Sequence, residues 1–307
     1  MHFYRLAGLA VASEISLPGA IVAPPPGAAA QIAIRFGPVP TDLENPGASG
    51  PTWAMSGDDF LLRVPGVARF LMRDGRSIDV ELETGATIED AAPFLAGTAF
   101  GVLLHQRKLV LLHASAICVE GAAVLFCGPS GAGKSTLAAA LDQRGYPFVT
   151  DDFCAVAVDR LPPTVHPDGR LLKLWAHSVD ELALSESRGG AVRNRLQKFY
   201  IEPRDAACEP LPLRALYVLR DDRLEKKVHI SRANVVDAAL SLRQCAYRPQ
   251  IVSRFDQEGL YLQASAAIAA TAGVFLLRRP MEFSAMAEVI GRLEDEWREA
   301  GSGRPPQ

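Results

Sequence analysis

Apolar positions in residues 1 to about 85 come in short clusters or alternate with polar ones, a period that predicts β-strands. The runs are "HFYRLAGLAVASEISL", "QIAIRF", "DFLLRV", "ARFLMR" and "SIDVELE", and Pro- and Gly-rich breaks such as "APPPGAAA" and "ENPGASGP" separate them. From Ile88 to Gln106 the pattern changes: "PFLAGTAFGVLLHQ" presents the apolar stripe of one helix, with Thr87 or Asp90 as its start signal. Past Lys108, "LVLLHASAICVEGAAVLFCG" predicts two adjacent strands that turn at "EG". A helix over "KSTLAAALDQRG", closed by Gly145, comes next, and then strands over "PFVTDD" and "FCAVAVD". Further on, "LPLRALYVLR" and "VFLLRRP" predict strands, and "NVVDAALSLRQCAYR" and "FSAMAEVIGRLEDEWREA" predict helices. Strands alternating with helices imply an α/β sheet wrapped by helices. The chain therefore divides into a smaller β-rich N-terminal domain, 1–107, and an α/β domain, 108–300, with 301–307 as a disordered tail.

Composition narrows the function classes. The 307 residues are 49% hydrophobic and 22% charged, which suits a globular chain able to bury a core. Lys plus Arg number 32 against 35 Asp plus Glu, a net charge of −3, so a nucleic-acid partner is not expected. The five cysteines, Cys118, Cys127, Cys154, Cys208 and Cys245, are widely spaced without a C-x-x-C, which argues against a disulfide framework or zinc site and for a reducing, cytoplasmic setting. The opening "MHFYRLAGLAVASE" has too short an apolar run and too little basic charge for a secretory leader, and no stretch is long enough to span a bilayer.

The strongest chemical signal is Gly128-Pro129-Ser130-Gly131-Ala132-Gly133-Lys134-Ser135, a gapless G-x-x-x-x-G-K-[ST] followed by Thr136, with an apolar strand before it and a helix after it. Small residues let the backbone N–H groups converge on phosphate oxygens at a helix N-terminus. Lys134 is expected to reach the β- and γ-phosphates and Ser135 to ligate Mg²⁺, so ATP and Mg²⁺ are the expected cofactors. A transporter-type ATPase is a poor fit, because neither an "LSGGQ"-like signature nor an apolar strand ending in Asp-Glu occurs.

Asp151 and Asp152 end a strand expected to lie next to the loop strand, at the sheet edge where ligands bind. One carboxylate can organise Mg²⁺, a role given to Asp151, and the other can take the proton of an attacking hydroxyl. Repulsion between close like charges would raise one pKa. Taken alone, the pair serves equally well as a solvated turn. His113, inside an apolar strand, fits a hydrogen-bonded core histidine and also a residue beside the γ-phosphate.

Together, His113, the loop through Lys134 and Ser135, Arg144-Gly145 and Asp151-Asp152 resemble the catalytic core of HPr kinase/phosphorylase, a bacterial P-loop serine kinase family. The resemblance implies that His113, Lys134 and Asp152 are that family's histidine, loop lysine and proton-relaying aspartate. It extends to "GGAVRNRLQKFYI", where Gly190, Ala191, Val192, Arg193 and Lys198 match a basic loop; Arg188, Arg193, Arg195 and Lys198 are candidates to clamp the acceptor or the moving phosphate. The chain departs from the family at "LLKLWAHS": Lys173, Leu174 and Trp175 stand where a metal-binding glutamate is expected, which puts the second metal ligand and any reverse activity in doubt.

A sub-group encoded with lasso-peptide biosynthesis genes is similar in more places: "FYRLAGLAVASEISLPG", "KLW", "PLPLRALYVL", "YRP" and "LRRP" occur in the same order. That likeness implies phosphorylation of a serine at the C-terminal end of a precursor peptide, the expected partner, with no membrane partner and self-association left open. Two rivals stand beside it. One is a kinase of an HPr-type phosphocarrier protein, and the other is a nucleotide-dependent ATPase or switch without an acceptor.

Overall fold

A computed structural model describes residues 1–192, 197–220 and 225–301, and in it the chain is a mixed α/β protein built on three sheets. Residues 2–82 form the first, an eight-stranded sheet. It opens with a hairpin, His2–Leu6 and Leu9–Ser13, that turns at Ala7-Gly8, both at positive φ. Ile32–Phe36 lies parallel to Leu9–Ser13 and to Ser77–Leu82, and Asp59–Val64, Ala68–Arg73 and Ser77–Leu82 form a meander. Alternation sorts the faces: Phe70 and Met72 join the main N-terminal core, while Leu71 turns to a small cluster with Val39, Ala54 and Leu61. The short strands Ala48–Gly50 and Trp53–Ser56 lie outside the runs predicted from the sequence.

The helix predicted over 88–106 forms in three pieces. Thr87 caps it, with Asp90 reaching back to the Thr87 backbone N–H at 3.2 Å. Ile88–Phe94 is α-helical, Leu95–Ala99 widens to a π turn, and Phe100–Gln106 is α-helical again. Pro93, which has no N–H to give, precedes the wide turn.

The second sheet positions the chemistry. Its loop strand, Ala122–Cys127, pairs antiparallel with Ala114–Val119 and parallel with Leu211–Arg220. Leu211–Arg220 pairs parallel with Val274–Arg278, and Ala114–Val119 pairs antiparallel with Phe148–Thr150. The strand before the aspartates is therefore not next to the loop strand, as the sequence suggested, but one strand removed. The tight Glu120-Gly121 turn, both residues at positive φ, folds Ala114–Val119 back into that place. Two antiparallel steps restore the direction, so Phe148–Thr150 still runs parallel to the loop strand. The C-terminal ends of Ala122–Cys127, Phe148–Thr150, Leu211–Arg220 and Val274–Arg278 consequently share one edge.

Helices Lys134–Gln143 and Met286–Gly301 cover one face of this sheet, and Val235–Gln244 and Glu258–Thr271 the other. The sequence pattern did not predict Glu258–Thr271. Its buried stripe is Tyr261, Ala264, Ser265 and Ile268, but alanines surround it and Leu262 faces solvent, so the apolar period is blurred. The third sheet is small, Leu172–Trp175, Lys198–Ile201 and Arg188–Ala191 in that order. Among the described residues no helix is long and apolar enough to cross a membrane, and the five cysteines are free.

Candidate active site

At the shared edge a cleft open to solvent collects most of the residues singled out from the sequence. The glycine-rich loop Gly128–Ser135 contributes to its lining. Gly128, Gly131 and Gly133 have φ of 146°, 85° and 80°, a backbone range that disfavours side chains. Added bulk at Gly128 would sit 2.8 Å from the Leu219 carbonyl oxygen. Ser130, Gly131, Gly133, Lys134, Ser135 and Thr136 line the cleft. Ala132 is buried, and Gly128 and Pro129 are not among the lining residues. Lys134 is buried too, and its Nζ donates to the carbonyl oxygens of Gly128 and Pro129, each at 3.0 Å. Burial lowers its pKa, while Asp151 and other neighbours pull the other way.

Asp151, 3% exposed, is held on three sides. Its Oδ1 accepts from Ser115 Oγ at 2.5 Å and Ser135 Oγ at 2.7 Å, and its Oδ2 from the backbone N–H of Lys173 at 3.1 Å. A buried carboxylate beside the loop hydroxyl is a hard-oxygen pair that suits Mg²⁺, which takes one or two carboxylates and completes its shell with phosphate and water. Ser135 and Asp151 are thus the residues that could hold the ion. Among the described residues no group of three or more His, Cys, Asp or Glu side chains is gathered to chelate a metal.

Asp152 is different. Its φ is +77°, in the left-handed region. Oδ2 pairs with Lys173 Nζ at 3.2 Å, with side-chain exposures of 31% for Asp152 and 11% for Lys173. Burial pushes the Asp152 carboxyl up, but Lys173, Arg170, Lys198 and His113 outweigh it and hold the group well below the ordinary carboxylate range. The raised pKa expected from like-charge repulsion is therefore not what governs Asp152, because cations outnumber anions around it. Arg170 is itself anchored, by Asp168 at 2.8 Å and by the Ala96 carbonyl oxygen at 2.7 Å.

His113 sits at the bend between Val110–Leu112 and Ala114–Val119 rather than inside a continuous strand. Its backbone N–H donates to the Cys245 carbonyl oxygen at 2.6 Å, and its ring meets Tyr247 edge-on at 6.5 Å. Burial and then Lys134 lower its pKa, which favours the neutral imidazole near pH 7. Of the basic-loop candidates, Lys198 lines the cleft, with its Nζ 5.8 Å from the Trp175 ring centre. Arg188 is exposed and its guanidinium lies 3.4 Å over the Phe199 ring. Arg193 and Arg195 lie outside the described residues.

Among the side chains of the site not singled out as functional by sequence reasoning are Ser115, Lys173 and Arg279. Ser115 carried no motif. In the sequence Lys173 stands out only as the absence of a carboxylate. Arg279 lines the cleft one residue past the strand Val274–Arg278, and the rule that ligands gather at C-terminal strand ends could have flagged it.

No family model and no curated relative matches the chain. Among solved structures, the Hpr(Ser) kinase/phosphatase from Coxiella burnetii is similar at 13% identity and a TM-score of 0.29, over 63% of this chain and 96% of that one. The chemistry of the cleft therefore rests on its own residues.

Proposed function

We propose that this chain is a Mg·ATP-dependent kinase that moves the γ-phosphate to a serine hydroxyl near the C-terminal end of a lasso-type precursor peptide. The observation that carries the kinase reading is one cleft holding a complete phosphate loop, a hydroxyl–carboxylate pair for the metal, and a second carboxylate free of that pair. Bound Mg²⁺ would neutralise phosphate charge. Ser135 and Asp151 would hold it, and Lys134 would exchange its loop carbonyls for the phosphates. Asp152 orients the serine hydroxyl and accepts its proton as the new O–P bond forms and the bond to the ADP oxygen breaks. A strongly ionised carboxylate is a weak base, but phosphoryl transfer is loose and demands little early deprotonation. His113, neutral and in the same cleft, tunes the charge around the moving phosphate. The peptide acceptor rests on the ordered sequence likeness to the lasso-peptide kinases.

The test is incubation with Mg·ATP and a precursor peptide of that class, with the added phosphate located by fragmentation mass spectrometry. Phosphoserine near the peptide's C-terminus is the expected result. Transfer to a folded phosphocarrier protein alone would favour the regulatory-kinase rival, and ATP hydrolysis with no labelled acceptor would favour a switch.

A further inference from the structure

Val274–Arg278 ends at the same sheet edge as the loop strand, and the next side chain turns inward. Arg279 is 3% exposed. Its Nη2 donates to the Ala132 carbonyl oxygen at 3.0 Å, inside the phosphate loop. Its Nε is buried and has no hydrogen-bond partner. Among the described residues no carboxylate lies within ion-pair distance of it. Arg170, equally buried, is by contrast paired with Asp168 at 2.8 Å. Burial alone moves the Arg279 pKa, downward, with no anion opposing it. The loop is shaped around this guanidinium: a Cβ on Gly133 would stand 2.4 Å from Nη2.

A buried cation without an anion is costly, and natural chains keep such groups only where something completes them. What is missing is an anion with several acceptor oxygens, reached from the cleft that Arg279 lines together with Lys134. We propose that Arg279 is a phosphate ligand, completing its hydrogen bonds on the β- or γ-phosphate oxygens of a nucleoside triphosphate held on the loop. This rests on the nucleotide-binding half of the function proposed above and is independent of the acceptor. The loop then carries two cations with different tasks. Lys134 is a flexible point charge, and Arg279 is a planar fork held in place by the Ala132 carbonyl.

Arg279→Met and Arg279→Lys separate this role from a structural brace. Mg·ATP affinity is measured by calorimetry and nucleotide-free stability by thermal unfolding. Without nucleotide, Arg279→Met is expected to be at least as stable as the parent chain, because it removes an uncompensated buried charge. Its Mg·ATP affinity is expected to fall by roughly 10- to 100-fold, the loss of a charge-assisted hydrogen bond or two, with Arg279→Lys in between. A Met variant that loses stability without nucleotide overturns the proposal, since the guanidinium then serves the fold. So does Mg·ATP affinity within twofold of the parent. A parent chain that binds no nucleotide overturns the nucleotide reading itself, and that is seen before any variant is made.

Discussion

Replacing Lys173 with Met tests the electrostatics of the proposed base directly. The ammonium lies 3.2 Å from Asp152 Oδ2 and is the foremost of the charges that depress this carboxyl. At that separation a pair of unit charges is worth between about 1.3 kcal/mol in bulk water and about 5 kcal/mol at an effective dielectric of about 20. Asp152 is 31% exposed, so screening favours the lower end. About 1.4 kcal/mol corresponds to one pKa unit, so Lys173→Met should raise the Asp152 pKa by roughly one unit or more. The backbone N–H of residue 173 survives the change, so the bond that holds Asp151 is kept. The sign is definite. A carboxyl depressed in the folded state contributes stability above its unfolded pKa, and loses it as pH falls through the folded value. With the depression relieved, the contribution is smaller and its loss is complete at a higher pH, and the acidic limb of kcat/KM moves up with the Asp152 pKa. Carboxyl ¹³C NMR of the nucleotide-free protein reads the titration without depending on any activity. An Asp152 resonance that titrates at the same pH in the variant, or lower, would refute the account.

Asp152→Asn should still bind Mg·ATP but lose phosphoryl transfer by roughly 10²- to 10⁴-fold, the usual span for a lost acid–base group; single-turnover kinetics with saturating nucleotide checks it, and near-normal transfer would remove Asp152 from the role. Gly133→Ala places a Cβ 2.4 Å from Arg279 Nη2 at a φ of 80°, so calorimetry should show Mg·ATP affinity reduced at least tenfold, with thermal unfolding reporting some loss of stability. Affinity equal to the parent's would mean the loop can shift without cost.

The glycine-rich loop Gly128–Ser135, its flanking strand and helix, and the two aspartates after one more strand are local features, and spacing along the chain was enough to place them. So were most of the N-terminal strands, all but the short Ala48–Gly50 and Trp53–Ser56, and the Glu120-Gly121 turn. Alternation cannot reveal the order of strands in a sheet. That the Ala114–Val119 strand lies between the loop strand and the aspartate strand follows from hairpin pairing in space. The π turn in the helix after the first sheet, and the helix Glu258–Thr271 with alanines around its buried stripe, were likewise decided by packing. The pKa of Asp152 reversed its expected direction for a related reason. The sequence displays one neighbouring carboxylate, whereas the fold brings Lys173 and Arg170 to Asp152 from about twenty residues away and Lys198 from farther still. Arg279 lies farther along the chain again, and only the parallel pairing of Leu211–Arg220 with its two neighbours carries it to the loop. Charges act through space over a few ångströms, so their neighbours are set by tertiary structure, while the backbone conformations that glycine permits are written residue by residue in the sequence.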